Sequence, residues 1–198
     1  GGLEAFRKKV GQDFDISSIV RENSGGSGNK EYSGNITEEP LYSNTTLKFE
    51  HGLKGYFDYH QALRVAKELN KPVFVDFTGH GCTNCREMEA RVWSDPEVLK
   101  RLRENFVLAA LYVDDKKIEL PQEEWYTNKK GREVRLLGKK NTEIQIEKFN
   151  QNAQPYYVIL DGDGNLMNTP RAYDLDVDAF IKFLDSGVEA FNKQHPGK

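Results

Sequence analysis

Cys82 and Cys85 are the only cysteines of the chain, and they stand three positions apart in Cys82-Thr83-Asn84-Cys85. Two cysteines scattered at random would meet at that spacing about one time in a hundred, so the pair reads as a unit. A run of strand character precedes it and a helical pattern follows. A thiol at a helix start faces unpaired backbone N–H groups and the positive end of the helix dipole, and both favour thiolate. Cys82 is therefore the expected nucleophile. Cys85, one turn further in, is the expected resolving thiol of a dithiol–disulfide exchange. Two other readings compete. One is a permanent disulfide clip, although so short a loop gains little by restricting the unfolded chain. The other is half a zinc site completed by His51, His60, His80 or His195, no two of which have the spacing of a zinc-finger histidine pair.

Two carboxylates add to the exchange reading. Asp76 lies inside Val73-Phe74-Val75-Asp76-Phe77, six residues before Cys82. Burial there disfavours its charge and is expected to raise its pKa. Glu89 follows Cys85 by four residues and shares its helix face, with Met88 and Val92 beside it. Placed around Cys85, the two acids would accept and return its proton. The alternatives are a strand-end Asp76 turned to solvent and a Glu89 on an exposed helix face. Pro155 follows Gln154 and enters the apolar run Tyr156–Leu160, so it belongs at the first position of a strand. With a cis Gln154–Pro155 bond the segment would hold an exposed backbone edge opposite the cysteines, open to an incoming peptide. An ordinary trans strand start is the alternative.

These residues need elements to hold them. Apolar positions at helical spacing run from Tyr56 to Asn70, and Asn70-Lys71-Pro72 stops them. Val73–Phe77 reads as a central strand buried on both faces. Arg86–Trp93 reads as helix, and Ser94-Asp95-Pro96-Glu97 caps a second helical piece. Phe106–Val113 and Tyr156–Leu160 read as further strands, with a turn at Asp161–Asn165. Ala179–Phe191 is an amphipathic helix, and Lys48–Glu50 has the look of a short strand. The alternation predicts an α/β fold with a central mixed sheet flanked by helices. Between Asp115 and Asn141 an extra polar segment suggests an inserted hairpin. Lys116–Lys140 is accordingly expected to be a surface excursion dispensable for the fold, with Trp125 and Tyr126 as partner contacts. Residues 1–45, which contain Asn23–Asn29 of linker composition, read as an extended arm or linker, and 46–198 as the domain.

Composition removes several classes. The 198 residues are 37% hydrophobic and 30% charged with a net charge of −3. No run approaches the ~18 apolar residues of a membrane span, so no membrane insertion by this chain is expected. The charge excludes a nucleic-acid binder built on a dominant basic field. Two cysteines exclude a disulfide-dense scaffold.

In their order, Val73–Phe77, Cys82-x-x-Cys85, Pro155 before a strand and the Asp161–Asn165 turn resemble the thioredoxin superfamily over about Tyr56 to Phe191. Within it, Cys85-Arg-Glu-Met-Glu89 followed by Trp93-Ser-Asp-Pro-Glu-Val98 resembles the C-terminal periplasmic thioredoxin-like domain of DsbD-type thiol:disulfide interchange proteins. The resemblance implies a thioredoxin-like fold and a protein-disulfide reductase. Such a domain takes electrons from a membrane-embedded donor domain and passes them to periplasmic protein disulfides, cytochrome c biogenesis among their uses. It implies that acids at Asp76 and Glu89 tune the cysteines, that Gln154 and Pro155 shape the docking edge, and that the arm is the tether from the last membrane helix. The expected state is a monomer. No cofactor is expected beyond the redox-active Cys82–Cys85 pair, because the two sulfurs carry both electrons. A stand-alone thioredoxin-like oxidoreductase and a non-catalytic binding module with a static disulfide are the alternatives. The chain departs from thioredoxins at Gly81, where tryptophan usually stands. His80 before it would stabilise the thiolate when protonated, or is a solvated loop histidine.

Overall fold

The computed structural model describes residues 35–197, so most of the expected arm lies outside the described residues. The first helix, α1 (Tyr59–Leu69), opens where the Asp58 carboxylate accepts the Gln61 N–H at 2.9 Å, and it closes at Asn70 in the left-handed region. It starts later than the apolar pattern suggested because Asp58 is the cap. Tyr56 instead forms a parallel bridge to Ala109. Strand β1 (Val73–Thr78) is buried at every position. Helix α2 (Thr83–Met88) runs into a π turn at Glu89–Trp93, so the helix expected from Arg86 begins three residues earlier. Helix α3 (Pro96–Asn105) has Pro96 in its first turn and is capped by the Asp95 carboxylate. Strand β2 (Val107–Tyr112) is again fully buried. A small hairpin of β3 (Tyr126–Thr127) and β4 (Glu133–Val134) follows, then α4 (Leu137–Phe149), β5 (Tyr156–Leu160) and α5 (Val177–Gln194). Lys48–Glu50 forms no strand.

The sheet order is β2-β1-β5. β1 runs parallel to β2, from Val73↔Val107 to Thr78↔Tyr112, and antiparallel to β5, from Val73↔Leu160 to Phe77↔Tyr156. This is the mixed sheet expected from the alternation of elements. Val73, Val75 and Phe77 face an apolar cluster with α1 residues Ala62, Val65 and Ala66. Phe74 faces the other cluster, where it meets Trp93 at 5.8 Å, Tyr157 at 5.4 Å and Phe180 at 6.1 Å between ring centroids. Burying each such ring contributes about 1.5–3 kcal/mol.

Both sheet edges are covered by the chain itself. On the β2 side Tyr56 donates its N–H to Leu108 O and accepts from the Ala110 N–H. On the β5 side Tyr157 and Arg171 exchange both backbone hydrogen bonds, and Met167 N–H reaches Ile159 O. Residues 35–45, expected as part of the arm, lie against the domain. Ile36 is buried, Asn35 donates to Phe106 O at 2.7 Å, and Leu41 N–H reaches the Gln61 side chain at 2.9 Å.

The hairpin stands between β2 and α4, as its composition suggested, but its boundary moves. Leu137–Lys140 are the first turn of α4. Leu120, Val134 and Leu137 are buried in a third cluster with Tyr112, Ala110 and Phe57. The segment is thus anchored by core side chains, which corrects the expectation that 116–140 lies wholly at the surface. Trp125 is half-buried. Its indole N–H donates to Leu120 O at 3.0 Å and its ring lies under the Arg135 guanidinium at 4.3 Å. Tyr126 remains exposed.

Candidate active site

Parallel pairing sends the C-terminal ends of β1 and β2 to the same end of the sheet. There the Val113 N–H meets Thr78 O at 2.9 Å, and the chain leaving β1 turns through Gly79–Gly81, closed by Cys82 N–H to Gly79 O at 3.4 Å. The segment leaving β2 grips this turn. The Asp114 carboxylate accepts the N–H groups of His80 at 2.7 Å and Gly81 at 2.9 Å. A Cβ at Gly79 would stand 3.0 Å from that carboxylate, which explains glycine there.

Cys82 caps α2, and its sulfur accepts the Cys85 N–H at 3.1 Å. The two cysteines form a disulfide across a Cα–Cα distance of 5.2 Å. They are unequal: Cys82 is half-buried, whereas Cys85 is 2% exposed. Only the outer sulfur is open to attack or to attacking a partner.

Beneath α2 lies a buried ionisable cluster. Asp76 is 3% exposed, pairs in register with Ala110 and Tyr157, and has no hydrogen-bond partner for Oδ1 among the described residues. Burial pushes its carboxyl well above the usual carboxylate range. The nearby Glu89 charge adds to this and Arg86 opposes it. Glu89 is itself buried at 8% exposure rather than on a solvent face. Burial raises its pKa too, against the pull of Arg86. Arg86 Nε stands 2.8 Å from Glu89 Oε2, off the N–H direction, so the contact is an ion pair without a hydrogen bond. Its other arm donates to the Thr78 hydroxyl at 3.0 Å. Tyr157 belongs to the same cluster, and its phenol is held far above its ordinary pKa by burial and by Asp76. His51 meets the Glu89 carbonyl oxygen at 2.6 Å and closes the cluster from outside.

The Gln154–Pro155 bond is cis. Because Tyr156 pairs with Phe77, Pro155 stands at the register position of Thr78, at the sheet end from which the chain leads to Cys82. Pro155 is buried and Gln154 half-buried. The Gln154 side chain donates to Gln145 of α4 at 2.8 Å, and Gln145 donates to Ala153 O at 2.9 Å. The structure thus places Cys82 and Cys85 at the start of α2, Glu89 at its end and Asp76 inside β1, with Gln154 and Pro155 at the adjoining end of β5. Reading the sequence did not single out Arg86, Asp114 or Asp115. The i,i+3 spacing of Arg86 and Glu89 is a signal that would have found the first. Among the described residues no group of three or more His, Cys, Asp or Glu is placed to hold a metal ion. An outer and an inner sulfur over two carboxyls that hold protons readily is an arrangement suited to thiol:disulfide exchange.

Comparison with known proteins agrees with this geometry. A family model described as thioredoxin-like domain matches residues 59–186. The solved structure of DsbH oxidoreductase is 18% identical and covers 77% of this chain and 95% of its own, with a TM-score of 0.51. That likeness is one of fold. A thioredoxin from Thermus thermophilus is 22% identical, covering 66% of this chain and 84% of its own at a TM-score of 0.47. The reduced C-terminal domain of DsbD from Neisseria meningitidis is 19% identical, covering 64% and 91% at a TM-score of 0.45. No curated protein sequence matches the chain. The matched stretch runs from the start of α1 into α5 and carries both cysteines, so the chain belongs to the thioredoxin-like domain family.

Proposed function

We propose that the chain is a thiol:disulfide oxidoreductase working in the reducing direction on protein disulfides. The observation that carries the reading is the unequal Cys82–Cys85 pair, and the buried Asp76 and Glu89 carboxyls, both pushed up by burial, support it. In the reduced state Cys82 attacks a partner disulfide and forms a mixed disulfide. Cys85 then attacks Cys82, and the partner leaves with both electrons. The two sulfurs carry those electrons, so the reaction uses no organic cofactor. The acids support the direction. A site that stabilises the thiolate stabilises the reduced form and makes an oxidant. Carboxyls held near Cys85 act against its thiolate and make the dithiol the stronger donor. The DsbD-like segments Cys85–Glu89 and Trp93–Val98 support a donor embedded in a membrane and acceptors on the periplasmic side. No helix among the described residues is long and apolar enough to cross a membrane, so in this reading a separate domain supplies the electrons.

Equilibration with glutathione and dithiothreitol buffers tests the proposal. A working pair titrates at a potential of about −120 to −270 mV, near the reducing end if the direction is right. A pair that stays oxidised down to about −300 mV is a static disulfide, and the proposal then fails.

A further inference from the structure

In the reading above, Asp76 and Glu89 act on Cys85. They serve the inner sulfur, and neither serves the sulfur that a partner releases when Cys82 attacks. That leaving thiolate needs a proton, and it departs on the solvent side. His80 is placed for this. It is the second residue, and Cys82 the fourth, of the turn closed by Cys82 N–H to Gly79 O. Two residues of chain span no more than about 7 Å, so the backbone of His80 stands within that reach of the backbone of Cys82.

The ring is held on two sides. Its Nε2 stands 2.8 Å from Asp115 Oδ2, and its plane lies against Tyr112 at 4.5 Å between centroids. The Asp115 side chain is only 3% exposed, while that of His80 is 38% exposed. Burial works against the Asp115 charge. The N–H groups of Ile118 and Lys117 on its Oδ1, together with His80, outweigh burial and keep the carboxyl below its usual range. A charged Asp115 accepts from Nε2–H whether the ring is neutral or protonated. The neutral tautomer is thereby fixed with its free lone pair on Nδ1, which has no hydrogen-bond partner among the described residues. A buried carboxylate orienting an imidazole beside a nucleophile is the arrangement by which a histidine takes and returns a proton.

We propose that His80 is the proton carrier on the solvent side of the Cys82–Cys85 pair, and that Asp115 is its positioning residue. The proposal rests on the oxidoreductase reading above. In the reduced protein Nδ1 takes the proton of the Cys82 thiol, giving thiolate and imidazolium. The thiolate sulfur bonds to one sulfur of the partner disulfide, whose S–S bond breaks. The released partner sulfur leaves with the electron pair and takes the proton from Nδ1–H. Cys85 next forms its bond to Cys82 and releases the second partner sulfur, whose proton derives from the Cys85 thiol. Two electrons pass to the partner, and no proton is gained or lost. The charged and titratable groups around His80 are Asp114 and Asp115 beyond β2, Tyr112 on β2 and Cys82 on the turn. Arg86 of α2 is turned away to Thr78 and Glu89.

The test compares two small disulfides reduced by the reduced protein. Hydroxyethyl disulfide releases an alkyl thiolate that needs a proton. Dithio-bis(nitrobenzoate) releases an aryl thiolate that leaves without one. The ratio of the two rates cancels the supply of Cys82 thiolate. His80→Gln is expected to shift the ratio against the alkyl disulfide by about 10²-fold, the low end of what a positioned acid contributes. Asp115→Asn, which keeps an acceptor for the two backbone N–H groups, is expected to shift it the same way by less. A ratio unmoved by His80→Gln overturns the proposal. A wild type that reduces neither disulfide overturns the oxidoreductase reading itself, which is a different result.

Discussion

Val73, Val75 and Phe77 on one face of β1, and Phe74, Asp76 and Thr78 on the other, are all buried. The first three join an apolar cluster. The other three pass within one strand from an aromatic cluster, through a carboxyl with an unpartnered oxygen, to a hydroxyl that accepts from Arg86. Depth of burial is therefore no guide to role in this strand. The α1 face stabilises the fold. The α2 face gives up stability to keep ionisable groups in a place where small changes in surroundings move their protons.

If the two faces divide the work in this way, they should respond oppositely to substitution. The largest effect is expected at Phe77, which meets Phe149 at 5.7 Å and Tyr156 at 6.4 Å between centroids. Phe77→Ala should lose about 3–5 kcal/mol in denaturant unfolding. The thiolate absorbance of the reduced protein against pH should stay where it is in the wild type. A shifted thiolate curve would mean that the faces are coupled.

Asp76→Asn is expected to do the reverse. The folded pKa of Asp76 lies above its unfolded value, so the folded chain binds its proton more tightly. That advantage is full below the ordinary carboxyl range and is lost as pH rises through the folded pKa. The variant lacks this slope. It should match the wild type in acid and be more stable by about 1–3 kcal/mol near neutral and alkaline pH, the range for a buried polar group without a partner. Its thiolate transition should move to lower pH, because a negative charge beside Cys85 has been removed. The acids and thiols titrate as a coupled set, so the movement belongs to the pair rather than to one sulfur. Superimposable curves would make Asp76 a structural residue.

Glu89→Gln should give the smallest change of the three. The thiolate transition should again move down, but less, because Arg86 already offsets the Glu89 charge at 2.8 Å. Stability near neutral pH should rise slightly, because burial outweighs Arg86 and holds the Glu89 carboxyl above its ordinary pKa. A larger shift than that of Asp76→Asn would make Glu89 the main proton exchanger for Cys85.

The strand, the cysteine pair and the proline were legible in the chain because each follows a local rule: a β-branched run, a rare spacing, a missing N–H. Asp76 was legible because a carboxyl is conspicuous inside such a run. The Asp114–Asp115 grip was not, because it joins segments more than thirty residues apart. Only the parallel register Thr78↔Tyr112 brings the exits of β1 and β2 side by side. Leu120 and Val134 were missed for a related reason. Their neighbours are polar, so the segment averages to a loop, while two apolar side chains suffice to pin it to the core. The strand expected at Lys48–Glu50 failed because that stretch has no ladder to join. Lys48 O instead accepts the Tyr112 hydroxyl at 2.8 Å.

The covered edges of the sheet bear on how such a molecule survives crowding. Proteins that meet unfolded or partly oxidised chains encounter many free backbone strands. An open edge would recruit them indiscriminately and nucleate aggregates. Tyr56 on one side and Arg171 with Met167 on the other occupy those edges with single bridges from the molecule's own chain. Chains are thereby turned away from the flanks of the sheet, and in the proposed function a protein disulfide is left the end where the outer sulfur stands.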